Sequence, residues 1–245
     1  MQWNDKAIIL SARKLGESAG VIHLLTPEHG LYKGVDKGAF GKRKRGIYQP
    51  GNIVAARWQA RLSEHMGTLE CELTGAVTAH ILDDRRKLAA LASATRMAEQ
   101  TLAERDRQTS VYLHMEAFVE TLRSDGDWLK AYVTLEFALL EHAGYGLDLE
   151  RCAATGQSHD LIYVSPKSGR AVSRAAGQPY HERLFALPAF LALPVASAPI
   201  HIGHIMEGVR LCGHFLENRV FAPRGIPMPA ARGRFLAMIG QEREA

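Results

Sequence analysis

Apolar residues recur in short runs through the first 80 positions of the chain. The runs are separated by glycine-containing turns, of which TPEHG at 26–30 is the clearest, with a proline after the threonine and a closing glycine. One run, GTLECEL, alternates apolar and polar residues with the period of two that a half-buried strand requires. The predicted strands are 6–11, 18–25, 32–35, 53–58 and 67–73. Five short strands in about 80 residues predict a small β-barrel or sandwich.

From about residue 82 the apolar residues follow a helical period instead. A helix is predicted to begin at Trp128 behind an N-cap at Asp127 and to end at Gly144. The proline-interrupted segment 187–199 allows at most one short helix. The other predicted helices are 83–103, 111–123, 200–218 and 230–240.

Residues 147–180 interrupt the helical pattern. An apolar run at 161–164, a turn at 165–169 and a second run at 170–173 predict a β-hairpin inserted between helices. The pattern therefore predicts an α+β chain of two domains. A barrel would occupy residues 1–80, and a helical domain carrying the hairpin would occupy 81–245.

Charge is concentrated in the predicted barrel. The chain has a net charge of +4, and residues 1–80, with 11 Lys+Arg and 7 Asp+Glu, account for all of it. This asymmetry indicates that the first third of the chain is the part that meets a polyanion.

The densest positive charge lies in KGVDKGAFGKRKRGIY at 33–48, where six cations face one acid, Asp36. The glycines in it predict a pliable backbone, and we expect the segment to gain little from packing. One interpretation is a loop that follows a phosphate backbone and stacks an aromatic ring on an unpaired base. The other is a solvated, disordered loop. The six cations are Lys33, Lys37, Lys42, Arg43, Lys44 and Arg45.

Three aromatic residues accompany these cations: Phe40, Tyr48 and Trp58. Arg57 and Arg61 bracket Trp58, so a barrel strand could direct two cations and a ring toward one strand of nucleic acid. Trp58 fits a place in the barrel core equally well. The arginines are the better candidates for contact because Arg is seldom buried.

Candidate catalytic motifs are weak. Neither GxxxxGK[ST] nor GxGxxG occurs, so there is no sequence signal for a nucleotide-phosphate loop. GESAG at 16–20 matches GxSxG, but a strand is predicted after Ser18 where a nucleophile elbow needs a helix. His201, His204 and Glu207 could share a helix face as metal ligands, although surface or packing roles are the default. The absence of a catalytic signature favours a binding protein over an enzyme.

Cysteine usage and hydropathy predict a cytoplasmic protein. Cys71, Cys152 and Cys212 are widely spaced, without a CxxC pair, which argues against a disulfide framework and a thiolate zinc site. The N-terminus has no secretory signal pattern, and no apolar run approaches the 18 residues of a membrane helix.

The chain resembles the RecO family of bacterial DNA-repair proteins. The opening MQWNDKAIILSARKLGESAGVIHLLTPEHG resembles the start of that family, and KGVDKGAFGKRKRGIYQPGNIV resembles its basic loop and the following strand. GLDLERC and LIYVSPKSGRAVS resemble its central insertion. The likeness extends over nearly the whole chain and is weakest in the helices.

The resemblance implies an N-terminal OB-fold barrel and a helical domain with a zinc-ribbon-like insertion. It implies binding of single- and double-stranded DNA, strand annealing and delivery of single-stranded DNA to recombinase. The implied partners are RecR and the acidic tail of the single-stranded DNA-binding protein, and the implied place is the nucleoid. No catalytic activity and no cofactor are implied. DNA contacts would fall on the six cations of the basic segment.

One departure from the family concerns zinc. Some members bind zinc through four cysteines in the insertion, whereas this chain retains Cys152 and has Thr155, Ser173 and Ala176 at the other positions. We therefore expect no metal and an insertion held by hydrogen bonds and packing.

The resemblance also implies a pocket for the acidic tail in the helical domain. An apolar groove lined by arginine would suit such a tail, and solvated arginines over a packed helix face are the alternative. Two other functions stay open: an RNA-binding OB-fold protein, which would carry the same basic loop, and a helical protein–protein adaptor. The candidate pocket residues are Arg210, Leu211, Phe215, Arg219 and Arg232.

Overall fold

The computed structural model describes residues 1–62, 65–124, 126–192 and 200–240. The chain folds into two compact units. One consists of Met1–Trp128 together with the segment that begins at Pro229, and the other is Leu129–Met228. These units do not follow the predicted division at residue 80, because four of the described helices belong to the same unit as the barrel. The division into domains at that point stays a prediction.

The first unit begins with a five-stranded closed barrel. Its strands are β1 (Gln2–Leu15), β2 (Ala19–Thr26), β3 (Gly30–Asp36), β4 (Ile53–Gln59) and β5 (Thr68–Gly75). Their order is β1-β2-β3-β5-β4, and β4 returns to pair with β1. The β3–β5 pairing is parallel, and the other four are antiparallel. All five predicted strands are confirmed, and the choice between barrel and sandwich resolves to a barrel.

The long first strand closes the barrel. Its first half pairs with β4 and its second half with β2, and the register shifts between Ile9 and Ser11. A β-bulge of this kind bends a strand, so one strand can serve two neighbours. The inward-facing positions follow a period of two and include Ile9, Ile22, Val54 and Trp58, each fully buried.

Seven α-helices follow within the described residues: α1 (Val77–His80), α2 (Arg85–Thr101), α3 (Thr109–Ser124), α4 (Trp128–Leu140), α5 (Arg174–Gly177), α6 (Ile202–Phe215) and α7 (Ala230–Gly240). α2 packs on β1 and on α7. The carboxylate of Asp84 caps α2 by accepting the backbone N–H groups of Arg86 and Lys87.

Four of the five long predicted helices are confirmed with shifted ends, and the fifth, α7, has the predicted bounds. α4 passes into a π-helical turn over Glu141–Tyr145, where Gly144 has a φ of 85°. Positive φ is easily adopted by glycine, which explains why the helix ends there. α6 continues as a π-helical turn over Leu216–Phe221, and Gln178–Arg183 and Ala222–Arg224 are 3₁₀ turns. Of the segment 187–199, residues 187–192 are not helical and the remainder lies outside the described residues.

The insertion lies in the second unit and is larger than predicted. β6 (Leu161–Val164) and β7 (Ala171–Ser173) form the expected hairpin, but β8 (Phe185–Ala186) pairs with the other edge of β6. The result is a three-stranded sheet of order β7-β6-β8. The prediction missed β8 because two residues are too few to show an alternating pattern.

Candidate nucleic-acid interface

The basic segment between β3 and β4 is folded as a succession of turns. Backbone N–H groups of Gly41, Lys44 and Ile47 donate to carbonyls three residues earlier at 2.8–3.1 Å. Ala39, between the cations, and Tyr48, just after them, are buried at 1% and 4% exposure and join the barrel core. The expectation that this segment gains little from packing is therefore wrong. Burial of Ala39 and Tyr48 offsets the repulsion among the cations, and the high density of charge in this part of the sequence did not indicate that burial.

Asp36, at the end of β3, anchors this segment. Its carboxylate, 3% exposed, accepts hydrogen bonds from the Tyr48 hydroxyl, from Lys44 Nζ at 2.7 Å and from the Gly38 N–H at 2.7 Å. Burial raises the pKa of this carboxyl, but these donors outweigh burial and hold the pKa below its usual value. The carboxylate is therefore charged at neutral pH and ties three points of the loop together.

We expect Asp36→Asn to destabilise the first unit by about 1–3 kcal/mol, because the amide cannot accept all three bonds and leaves Lys44 without its counterion. The group has a lowered pKa in the folded state, so its contribution is present above the ordinary value of 3.8 and is lost as pH falls. Urea unfolding at pH 7 measures the effect. Asp83→Asn, at an exposed position before α2, is the matched control. Equal stability of the two variants would show that the anchor is dispensable.

The six predicted cations fall into two groups. Lys44 is paired with Asp36, and Lys33 Nζ lies 2.6 Å from the Glu104 carboxylate. The other four are exposed and form no ion pair with any described residue. A phosphate can meet these four without breaking an existing pair. We call them the loop quartet: Lys37, Lys42, Arg43 and Arg45.

The arginines near the end of β4 are less favourably placed. Arg57 is exposed but lies opposite Glu70 in the β4–β5 register, and Asp5 and Glu72 line the same shallow depression. These carboxylates oppose the approach of a phosphate. Arg61 is exposed and follows β4.

Trp58 points into the barrel core and is 0% exposed, so the hypothesis that its ring meets nucleic acid is wrong. Successive strand residues face opposite sides, which separates Trp58 from Arg57. The indole Nε1 donates to the carbonyl of Met66 at 2.9 Å. Tyr48 is buried, and its hydroxyl donates a hydrogen bond to Asp36. Phe40 is half-buried and keeps part of its ring accessible beside the loop quartet.

A second buried carboxylate, Glu99 on α2, connects that helix to the barrel. It is 6% exposed and accepts from Ser11 Oγ at 2.9 Å, and it lies 2.5 Å from His23 Nδ1. It also pairs with Arg13 at 3.0 Å and Arg96 at 2.6 Å. Burial raises the pKa of Glu99, but the hydrogen bonds from His23, Ser11 and Arg96 lower it to about 2. No pattern in the sequence reveals this cluster, because its members come from three separate elements, β1, β2 and α2.

Comparison with known proteins identifies the family. A model described as "Recombination protein O N terminal" matches residues 1–76, and one described as "Recombination protein O C terminal" matches residues 82–225. The chain belongs to the RecO family. The family descriptions and the relatives' names are those of recombination and DNA-repair proteins, and neither description names a catalytic activity.

Curated relatives support the same assignment over nearly the full length. "DNA repair protein RecO" of Rhodospirillum rubrum is 46% identical over 241 residues, covering 96% of this chain and 95% of the relative. Its namesake in Rhodospirillum centenum is 45% identical over 96% of this chain and 94% of its own. The protein of the same name in Caulobacter sp. strain K31 is 40% identical over 98% of both chains.

The weak motifs can now be placed. Ser18 lies in the turn between β1 and β2, and its hydroxyl donates to the Lys37 carbonyl at 3.0 Å. His201 and His204 lie at the start of α6 with ring centroids 5.6 Å apart. Within the described ranges, no group of three or more His, Cys, Asp or Glu side chains could hold a metal ion, and that includes these histidines with Glu207. No described helix has the length and apolarity needed to cross a bilayer.

Nothing in the described residues supports the zinc-ribbon character predicted for the insertion, and its retained cysteine, Cys152, forms hydrogen bonds instead. The buried sulfur accepts the Ser173 N–H at 3.3 Å and lies 3.4 Å from Ser173 Oγ. Burial raises the pKa of this thiol, but hydrogen bonds from Ser173 and Thr155 lower it to about 6. Cys152 therefore joins β7 to the preceding loop by hydrogen bonds.

The residues predicted for a tail-binding pocket do not form the predicted groove. Leu211 and Phe215 are 0% and 1% exposed, so they belong to the core of the second unit rather than to an open wall. Arg232 is buried and lies on α7 in the first unit. Arg219 stacks on Phe215 and donates to the Lys167 carbonyl at 2.7 Å, while Arg210 is exposed. The periodicity of α6 could not distinguish its buried face from an accessible one.

Proposed function

We propose that this RecO-family protein is a non-enzymatic mediator of DNA repair and recombination that binds single- and double-stranded DNA through its barrel and promotes annealing of complementary strands. The observation that carries the proposal is the loop quartet. Four exposed cations project from a loop that a buried carboxylate holds on a closed five-stranded barrel. The strand order is consistent with an OB-fold, a barrel type that binds oligonucleotides.

The physics of such contacts specifies how binding should behave. With about four phosphate contacts, log affinity should fall by roughly 3 for each tenfold rise in salt. Sequence preference should be small, because contacts to phosphates read no base edges. Annealing benefits from this lack of preference, since any two complementary strands can be held.

Family membership supports two further parts of the proposal. We propose that the protein acts with RecR to load recombinase on DNA coated by single-stranded DNA-binding protein, whose acidic tail it contacts. Arg210 and Arg219 are the predicted tail contacts that keep an accessible side chain. This role places the protein in the cytoplasm with the nucleoid.

The test is a fluorescence-anisotropy titration of labelled single-stranded DNA, duplex DNA and a structured RNA, followed by annealing of two complementary DNA strands. We expect binding to both DNA forms with the stated salt dependence and faster annealing than without protein. A clear preference for structured RNA would favour an RNA-binding OB protein. Absence of nucleic-acid binding at physiological salt would favour a protein–protein adaptor.

A further inference from the structure

A groove of about 760 Å³ lies beside the loop quartet in the first unit, between the end of β1, the basic loop and α2. Its volume falls within the range of about 300–1,000 Å³ that is usual for sites binding small molecules or single ligand groups. All its lining residues belong to the same compact unit.

The groove has a largely apolar lining that includes two aromatic residues. Leu88, Leu91 and Ala92 of α2 contribute to it, and so do Phe40 and Tyr48 of the basic loop; Tyr48 is buried and bonded to Asp36, which leaves Phe40 as the more accessible ring. The ring packs closely over β2 because Gly20 has no side chain, and a Cβ there would lie 2.7 Å from the ring. An accessible ring held in a fixed place suits the flat face of a nucleobase.

The rim of the groove is mainly cationic. Lys14, Arg45 and Arg96 line it together with one acid, Glu17. Arg96 shares the Glu99 carboxylate with Arg13, so two guanidinium groups meet one carboxylate and positive charge remains. The Arg13 and Arg96 side chains are 60% and 43% exposed. The groove therefore offers an apolar interior to a ligand whose edges are anionic.

We propose that this groove receives an unpaired base of single-stranded DNA, stacked on Phe40, while the adjoining phosphates lie on the loop quartet. Arg45 belongs to both surfaces, so a strand on the loop reaches the groove without a break. A base in a duplex would have to leave its stack and its partner base to enter, which disfavours duplex DNA in the groove. The groove thus confers a preference for single strands, and the inference rests on the proposed DNA binding.

Blocking the groove provides the first test. Ala92 is exposed, so Ala92→Trp fills the space without removing a core side chain. We expect this variant to lose about tenfold in affinity for a labelled single-stranded 20-mer and to keep its affinity for a duplex of equal length. Leu113→Trp, on α3 at a position 54% exposed and outside the groove lining, is the control and should change neither affinity.

A second measurement does not depend on filling the groove. A single-stranded oligomer carrying 2-aminopurine should change its fluorescence on binding the wild-type protein, because stacking on a ring alters the emission of the base. Phe40→Leu keeps an apolar side chain but removes the ring, and we expect it to abolish this change.

The outcomes separate the two proposals. If the wild-type protein binds neither DNA form, the proposed function fails. If DNA binds but Ala92→Trp leaves single-strand affinity within twofold of wild type, or lowers both affinities equally, the groove does not hold a base. If Ala92→Trp instead removes binding of a labelled peptide of alternating Asp and Leu while DNA binding persists, the occupant is an acidic peptide and the inference is wrong.

Discussion

Replacing the loop quartet by alanine is expected to lower the affinity of the protein for DNA about hundredfold at physiological salt. Each phosphate contact contributes about 0.7–0.9 to the slope of log affinity against log salt, so four lost contacts should remove nearly the whole slope. Lys33 and Lys44 should compensate little, because each is already paired with a carboxylate. Anisotropy titrations at several salt concentrations between about 50 and 300 mM would measure both the affinity and the slope.

A control variant has to change the net charge of the protein by the same amount as the loop variant. Four exposed cations outside the basic loop, which form no ion pair with a described residue, are suitable. Replacing all four by alanine should leave the slope near its wild-type value. If the loop variant retains the wild-type slope while the control loses it, the phosphates bind elsewhere. The control positions are Arg85, Arg151, Lys167 and Arg183.

Glu99→Gln is expected to destabilise the first unit by about 3 kcal/mol at pH 7. The pKa of this carboxyl falls from the ordinary 4.5 to about 2 on folding, and each unit corresponds to about 1.36 kcal/mol. A group with a lowered pKa stabilises the fold above its unfolded value, and that stabilisation is lost as pH falls through its folded value. The difference between wild type and variant should therefore shrink between about pH 5 and pH 2.

Tryptophan fluorescence is a suitable measurement, because Trp3, Trp58 and Trp128 all belong to the first unit. Urea unfolding followed by this signal reports on the unit that contains Glu99. Glu120→Gln is the control, since that carboxylate is 49% exposed and its pair with Arg123 is screened by water. A difference between wild type and Glu99→Gln that is constant from pH 7 to pH 2 would show that shape, not charge, sets the effect.

The elements of the barrel could be predicted because their signal is local. Short apolar runs separated by glycine turns, one of them alternating with a period of two, indicated all five strands before any pairing was known. The closure of the barrel could not be predicted in the same way, because it depends on the bulge between Ile9 and Ser11 that lets β1 serve two neighbours. The third strand of the insertion was missed because Phe185–Ala186 carries no pattern.

The candidate nucleic-acid interface was likewise predictable only in part. The sequence alone determined that positive charge is concentrated in residues 33–48, since charge and position are properties of the chain. Tertiary structure decided which cations are available, because Asp36 and Glu104 reach Lys44 and Lys33 only in the folded state. It also placed Trp58 inside the barrel and Phe40 beside the groove. Burial and ion pairing depend on residues distant in sequence, and no local pattern specifies them.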